Sequence, residues 1–133
     1  MLILLLLFIY CIEWDENTFH ICRQRSLNEA KNIISEQANN DLLTITIIDD
    51  LMQLRSMRRE IYVMTRDTGS GLLVVWVDTT IDVAITRNNC RQGKERINPE
   101  SIQRIHAQLQ APDSSFIFDR AHIVVNGDSI DSE

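Results

Sequence analysis

Glycine is scarce in this chain of 133 residues, which has only Gly69, Gly71, Gly93 and Gly127. A phosphate-cradling loop of the pattern GxxxxGKS or GxxxxGKT needs two glycines five residues apart, because its backbone N–H groups surround the phosphate oxygens. The one Gly-Lys pair, Gly93-Lys94, is followed by Glu95 and has no glycine five residues before it. The sequence therefore excludes this loop in every register.

Proline and cysteine are also rare, with two prolines and three cysteines in the chain. An odd number of cysteines without CxxC spacing predicts neither a disulfide framework nor a zinc site. The three histidines are scattered and lack metal-ligand spacing as well. This cysteine usage is typical of a reducing compartment, so we expect a cytoplasmic protein.

Positive charge is in the minority, because 13 Lys and Arg residues stand against 19 Asp and Glu residues and the net charge is −6. This balance excludes the overall basic surface of a nucleic-acid-binding domain. The basic residues are nevertheless concentrated in two stretches, residues 55–59 and 87–96. Contacts with an anionic ligand are therefore expected from local clusters and not from the whole surface.

Apolar residues make up 44% of the chain and follow two kinds of pattern. Apolar residues recur at helical spacing in residues 20–37 and 55–67, which predicts a helix in each stretch. A third helix is expected with Thr79 or Thr80 as its cap and Asn88-Asn89 at its end. A fourth is expected to start at Asn98-Pro99-Glu100. Continuous apolar runs at 42–48 and 72–77 are typical of strands buried on both faces, and a further strand is expected at 122–125. This alternation predicts an α/β fold with a three-layer arrangement around a parallel sheet.

The first twelve residues are almost entirely apolar. They are too few for a membrane-spanning helix, which needs about 20 apolar residues. A signal peptide is one interpretation, although no basic residue precedes the run and no small-residue cleavage site follows it. The composition favours the other interpretation, a buried strand over residues 2–11, and no membrane contact is expected unless residues 1–12 act as a signal.

Two carboxylates, Asp49 and Asp50, directly follow the apolar run at 42–48. Open parallel sheets bind ligands at the carboxyl ends of their strands, and in nucleotide-hydrolysing enzymes a carboxylate there holds Mg²⁺. A strand also commonly ends in Asp because the side chain caps the following turn. The doublet by itself therefore leaves a metal site and a turn cap both open.

Arg87 and Arg91 are four residues apart at the end of a predicted helix, so we expect both on one helix face. Lys94 and Arg96 follow in a charged loop. Guanidinium groups contact phosphoryl oxygens in a bidentate manner, which makes this cluster a candidate phosphate site. The alternative is a solvated helix end whose cations complement the helix dipole.

Three stretches taken together resemble a known family. They are IIDDLMQLRSMRREIYVMTRD from residue 47, LLVVWVDTTIDVAITRNNCR from residue 72 and INPESIQRIHAQLQAPD from residue 97. Their order and content are similar to those of L-seryl-tRNA(Sec) kinase and of the related elongator-associated ATPase that shares its kinase domain. The likeness covers about residues 19–125, and several motifs in one order are more specific than any one of them.

The resemblance implies a P-loop kinase domain that transfers the γ-phosphoryl group of ATP, with Mg²⁺, to the serine of seryl-tRNA(Sec) in selenocysteine synthesis. Asp49 and Asp50 would then be catalytic residues near the metal ion and the γ-phosphate. Arg87 and Arg91 would neutralise charge in the transition state, and they would bind the nucleotide together with Lys94. These side chains would meet at one edge of the sheet.

The resemblance also implies that Arg58 faces the acceptor end of the tRNA. The chain departs from the family because no glycine-rich loop follows the apolar residues 2–11, and the helical tRNA-binding portion is not recognisable. We therefore expect the C-terminal half of a kinase domain, from a truncated isoform or an incomplete gene model, with impaired catalysis. Residues 2–11 would fill the position of the missing P-loop strand, between the strands at 42–48 and 72–77.

Two further interpretations remain. One is a non-catalytic interaction protein built on the same half-domain. The other is a secreted or tethered protein that uses residues 1–12 as a signal.

Overall fold

The computed structural model describes residues 3–8, 16–37 and 44–129, and it has an α/β fold with parallel strands. The helices and strands are, in chain order, β1 (Ile3–Phe8), α1 (Glu16–Gln37), β2 (Thr44–Asp49), α2 (Arg55–Asp67), β3 (Val74–Asp78), α3 (Ile81–Cys90), α4 (Pro99–Gln108) and β4 (His122–Asn126). Three short 3-10 helices cover Gly93–Glu95, Ile117–Asp119 and Gly127–Ser129. The predicted α/β fold class is confirmed.

The chain forms two compact units. The first comprises Met1–Leu51 and Ile61–Gly71, and the second comprises Met52–Glu60 and Leu72–Glu133. Helix α2 contributes to both. No helix among the described residues is long and apolar enough to span a membrane.

In the first unit, β1 pairs with β2 in parallel, from Ile3 opposite Thr44 to Phe8 opposite Asp49. The strand predicted at residues 2–11 is therefore confirmed over the length of β1, and the rest of that range lies outside the described residues. Its predicted place beside the strand at 72–77 stays a prediction.

Among the residues of the first unit whose side chains the structure describes, the buried apolar ones come from α1 and α2, and they are Leu27, Ala30, Ile61 and Met64. The helical spacing predicted for both helices is confirmed at these positions. Ile21 was also expected to face inward, and that expectation is wrong because the side chain is exposed. Ile21 and Ala30 are nine residues apart, about two and a half helical turns, so they point to opposite sides of α1. The apolar residues that recur at helical spacing in this predicted helix also include Ala38, which lies outside the described residues.

In the second unit, β3 pairs with β4 in parallel, from Val74 opposite His122 to Asp78 opposite Asn126. Helix α3 begins after Thr80, whose side chain makes no capping bond although a Thr cap was predicted. The Thr80 backbone N–H instead donates to Asp128 Oδ1 at 2.8 Å, beyond the end of β4. Helix α4 begins as predicted, with Asn98 Oδ1 accepting the Glu100 N–H at 3.0 Å.

The strands were expected to be buried on both faces, and this expectation is wrong for β2 and β3. Burial alternates along each of them, and Val75 and Val77 of β3 are 54% and 53% exposed. Successive strand residues point to opposite faces, so the alternating pattern places the more exposed side chains of β2 and of β3 on one face of each strand. A continuous apolar run fits a strand with one covered face as well as a strand with two.

A buried ion pair joins three segments of the second unit. Arg58 of α2 donates from Nε to Asp119 Oδ1 at 2.7 Å and from Nη2 to Asp119 Oδ2 at 2.9 Å. Arg58 also donates to the carbonyl oxygens of Met52 at 3.0 Å and Ala111 at 3.4 Å, and it lies 5.9 Å from the centre of the Trp76 ring in β3. Arg58 is 2% exposed and Asp119 is 0% exposed, so both charges depend on each other for compensation.

Replacing Gly127 by alanine is expected to destabilise the protein. A Cβ atom there would collide with the Thr79 side chain and would lie 2.9 Å from Val77 Cγ1 and 3.0 Å from the Asp78 carbonyl oxygen. We expect Gly127→Ala to lower the free energy of unfolding by about 1–3 kcal/mol in urea denaturation. Gly71→Ala is the matched control, because nothing lies within 4 Å of its Cβ position. A loss for Gly127→Ala no larger than that of the control would show that β3 and β4 do not approach as described.

Removing one partner of the Arg58–Asp119 pair is expected to cost much more stability than removing a surface pair. We expect Arg58→Met to lower the free energy of unfolding by about 3–5 kcal/mol, because it leaves a buried, unpaired carboxylate. Arg66→Met is the control on the same helix, because Arg66 pairs with Asp67 in solvent and such pairs contribute about 0–1 kcal/mol. Equal losses in the two variants, measured by urea denaturation, would contradict the buried pair.

Candidate functional site

The predicted acidic doublet lies at the end of β2, and its two carboxylates have different surroundings. Asp49 is the last residue of the strand and is exposed. Asp50 Oδ2 accepts from Arg23 Nε of α1 at 2.9 Å, and both of these side chains are almost fully buried. Asp50 Oδ1 accepts the Leu51 backbone N–H at 2.7 Å. Asp50 therefore joins α1 to the turn after β2, and Asp49 is the more accessible of the two.

No group of three or more His, Cys, Asp or Glu side chains stands ready to hold a metal ion within the described ranges. Magnesium usually needs one or two protein carboxylates, because water and nucleotide phosphates supply its other ligands. Asp49 fits that requirement by its exposure, whereas both oxygens of Asp50 already accept hydrogen bonds. The metal role predicted for the doublet stays a prediction.

The predicted arginine pair lies at the end of α3, with Arg87 inside the helix and Arg91 as the residue that caps it. Arg87 is in the last turn, whereas Arg91 follows the helix with extended φ and ψ of −74° and 153°. The Arg91 N–H donates to the Asn88 carbonyl oxygen at 3.1 Å, which tightens the last turn before the chain leaves it. Because the φ of Arg91 is close to the helical value and only its ψ departs, the expectation that the two arginines share one helix face is not contradicted.

A surface depression brings both arginines together. Its volume is about 480 Å³, and it is lined by Arg87, Cys90, Arg91, Gln92 and Glu95. We call it the α3-end depression. The lining contains two guanidinium groups and one carboxylate, so its net charge is positive. Arg87 also complements the negative end of the helix dipole. Such a lining is suited to an anionic ligand with several oxygen atoms.

The loop that forms one side of this depression is joined to the helix by Asn88. The Asn88 side chain donates from Nδ2 to the Ile97 carbonyl oxygen at 2.7 Å, and its Oδ1 accepts the Ile97 N–H at 2.8 Å. We call these two bonds the Asn88 clamp. Between its ends, Gly93 adopts a φ of +58°, which favours glycine, and a short 3-10 helix follows.

A second contact joins the same loop to α3 at the surface. Arg96 Nη2 donates to Asn89 Oδ1 at 2.9 Å. Lys94 was predicted to bind the nucleotide, but its side chain lies outside what the structure describes, so that role stays a prediction.

The acidic doublet and the arginine pair belong to different units. Asp49 and Asp50 are in the first unit, and Arg87 and Arg91 are in the second. The predicted meeting of these four side chains at one sheet edge stays a prediction.

The sequence interpretation of Arg58 is wrong, because this side chain was expected to face the acceptor end of a tRNA. It is buried against Asp119 and cannot reach a ligand at the surface. Its partner is 61 residues away in the sequence, so no local pattern indicated the pair. The Asn88 clamp was missed as well, because an Asn-Asn pair was interpreted only as a helix end.

Asp113 lies close to the buried ion pair, and its N–H donates to Asp119 Oδ2 at 3.3 Å. The backbone N–H of Ser115 donates to Asp113 Oδ1 at 2.9 Å. That bond, followed by the Ser115 side chain and the charges of Arg55 and His122, lowers the pKa of the Asp113 carboxyl below its ordinary value. The bond from Ser115 to Asp113 closes the turn before the 3-10 helix that carries Asp119.

The chain was compared with known proteins and families. The family described as chromatin associated protein KTI12 matches residues 13–133. No curated protein and no solved structure matches the chain. The match supports the kinase-like resemblance in its broader form and does not extend to seryl-tRNA(Sec) kinase itself. The chain belongs to the family of the chromatin associated protein KTI12 and is a P-loop-kinase-like relative.

Proposed function

We propose that this chain is an elongator-associated, P-loop-kinase-like protein that takes part in tRNA modification. The observation that carries the proposal is the family match over residues 13–133. Phosphorylation of seryl-tRNA(Sec) in selenocysteine synthesis is the second candidate, because the same motifs resemble that kinase. The family match favours the elongator-associated branch over it.

Contact with nucleotide phosphate groups is assigned in this proposal to the α3-end depression. Its two arginines are Arg87 in the last turn of α3 and Arg91 at the cap of that helix, and both line the depression. Guanidinium groups are suited to this task because their planar N–H donors match phosphoryl oxygens in pairs. Arg87 and Arg91 would stabilise negative charge on a phosphoryl group, and Lys94 would add a third cation.

ATP and Mg²⁺ are the cofactors that the proposal requires. ATP would supply the phosphoryl group, and Mg²⁺ would offset the charge on its phosphate oxygens. Asp49 is the carboxylate that would hold the metal ion, since it is exposed. Asp50 would keep its bond to Arg23 and fix the turn that presents Asp49.

A non-catalytic interaction protein remains a further candidate because one face of β3 and β4 is apolar and exposed. Leu73, Val75, Val77 and Ile123 are each at least half exposed. Parallel sheets in α/β proteins are usually covered on both faces, so such a face is suited to a partner. This candidate and the elongator association are compatible.

The chain alone is expected to bind triphosphate weakly and through its arginines. Without a glycine-rich loop, no ring of backbone N–H groups surrounds the β- and γ-phosphates, so calorimetry with ATP should give no affinity in the micromolar range. Line broadening of tripolyphosphate in ³¹P NMR should still report weak binding. We expect Arg87→Met and Arg91→Met each to reduce that broadening by about half or more.

Arg104→Met is the control for this experiment, because Arg104 is an exposed arginine of α4 that does not line the α3-end depression. Equal effects of all three substitutions would indicate nonspecific attraction and would contradict the assigned phosphate contact. A micromolar ATP affinity would contradict the expectation of weak binding.

Depletion of the protein in cells distinguishes the two tRNA functions. We expect elongator-dependent tRNA modification to fall when the protein is removed, while phosphoseryl-tRNA(Sec) formation stays unchanged. Mass spectrometry of tRNA nucleosides measures the first, and acid-gel analysis of aminoacylated tRNA measures the second. The opposite result would favour the selenocysteine candidate, and restoration by the intact chain controls for indirect effects.

A further inference from the structure

We infer that Asn88 is a positioning residue for the α3-end depression, where it holds the loop that carries Gln92 and Glu95 against the helix end with Arg87 and Arg91. The inference rests on the phosphate contact in the proposed function. It adds a residue that touches no ligand and acts through the backbone of Ile97.

The lining of the depression comes from two pieces of chain that need a connection. Arg87 and Cys90 belong to α3 and Arg91 caps it, whereas Gln92 and Glu95 belong to the loop. The helix determines where Arg87 and Cys90 lie. The backbone is extended after Arg91 and left-handed at Gly93, so the helix itself does not fix the position of the loop. Other contacts must hold the loop in place.

The Asn88 clamp supplies such a contact. A primary amide carries a donor and an acceptor side by side, so it pairs with the N–H and C=O of one residue as a neighbouring strand would. Asn88 meets both groups of Ile97, at 2.7 and 2.8 Å, and is 3% exposed. Water competes poorly for a buried pair of bonds, so the clamp fixes the far end of the loop next to the helix.

The surface bond between Arg96 and Asn89 joins the same two pieces but is exposed. Water can replace an exposed bond at little cost, whereas loss of a buried amide leaves Ile97 N–H and C=O without partners. Adjacent asparagines at the same helix end therefore have different predicted effects. Asn89→Ala is a matched control for Asn88→Ala, with the same chemistry and the same distance from the loop.

The experiment uses the whole chain and inorganic pyrophosphate as the probe. The dissociation constant is obtained from ³¹P NMR titration of the unaltered protein and of Asn88→Ala, Asn88→Ser and Asn89→Ala. Circular dichroism establishes the temperature range in which each variant is folded. Hydrogen exchange of the Ile97 amide reports on the clamp directly, and a residue with only a general stabilising role would not change the pyrophosphate affinity of the folded protein.

We expect Asn88→Ala to weaken pyrophosphate binding by about tenfold and to speed exchange at Ile97, since two hydrogen bonds are lost. Asn88→Ser keeps one bonding group and should give an intermediate affinity; it carries the test if the alanine variant does not fold. Asn89→Ala should change the affinity by less than about twofold.

Two results overturn the inference and are distinguishable from each other. If the folded Asn88 variants bind pyrophosphate as well as the unaltered chain does, Asn88 does not position the site, while the phosphate contact stands. If the unaltered chain does not bind pyrophosphate at all, the phosphate contact in the proposed function fails, and this inference fails with it.

Discussion

The buried pair between Arg58 and Asp119 is the interaction on which the second unit depends. Isolated charges are costly to bury, and a pair is tolerated only when further hydrogen bonds satisfy the remaining groups. Here the carbonyl oxygens of Met52 and Ala111 and the Asp113 N–H meet that need. The start of α2 is thereby fixed to the segment that precedes β4.

Polar side chains also shape the candidate site. Buried polar side chains occur in both units, as Arg58, Asn88 and Asp119 in the second and as Arg23 with Asp50 in the first. Hydrogen bonds require particular directions, so a polar contact positions a loop more narrowly than apolar contact does. The α3-end depression is built this way, with its loop joined to the helix through an amide.

The sequence predicted the regular elements well where the signal was local. Helix α2 has the predicted bounds, and the Asn98 cap and strand β4 lie at or near the predicted positions, because spacing and capping depend on neighbouring residues. The Arg58 pair was not predictable in this way, since Asp119 is 61 residues distant. The exposed face of β3 was also missed, because a run of apolar residues does not show whether other elements cover both faces of the strand.

The candidate site was predicted in part. Arg87 and Arg91 were chosen for their charge and spacing, and they do line one depression. Arg91 directly follows the helix and keeps a φ close to the helical value, so the four-residue spacing places it near Arg87. Spacing alone could not show that α3 ends at Cys90, because the i→i−3 bond to Asn88 and the extended exit are properties of the folded chain.

The family match and the two arginines of the α3-end depression are the basis of the proposed phosphate contact. The most direct test follows the arginine Nε–Hε signals in ¹H–¹⁵N NMR spectra during titration with ATP. The account predicts that the signals of Arg87 and Arg91 shift together and saturate at one ATP concentration, while Arg104 does not respond. Shifts spread over the exposed arginines without saturation would contradict it.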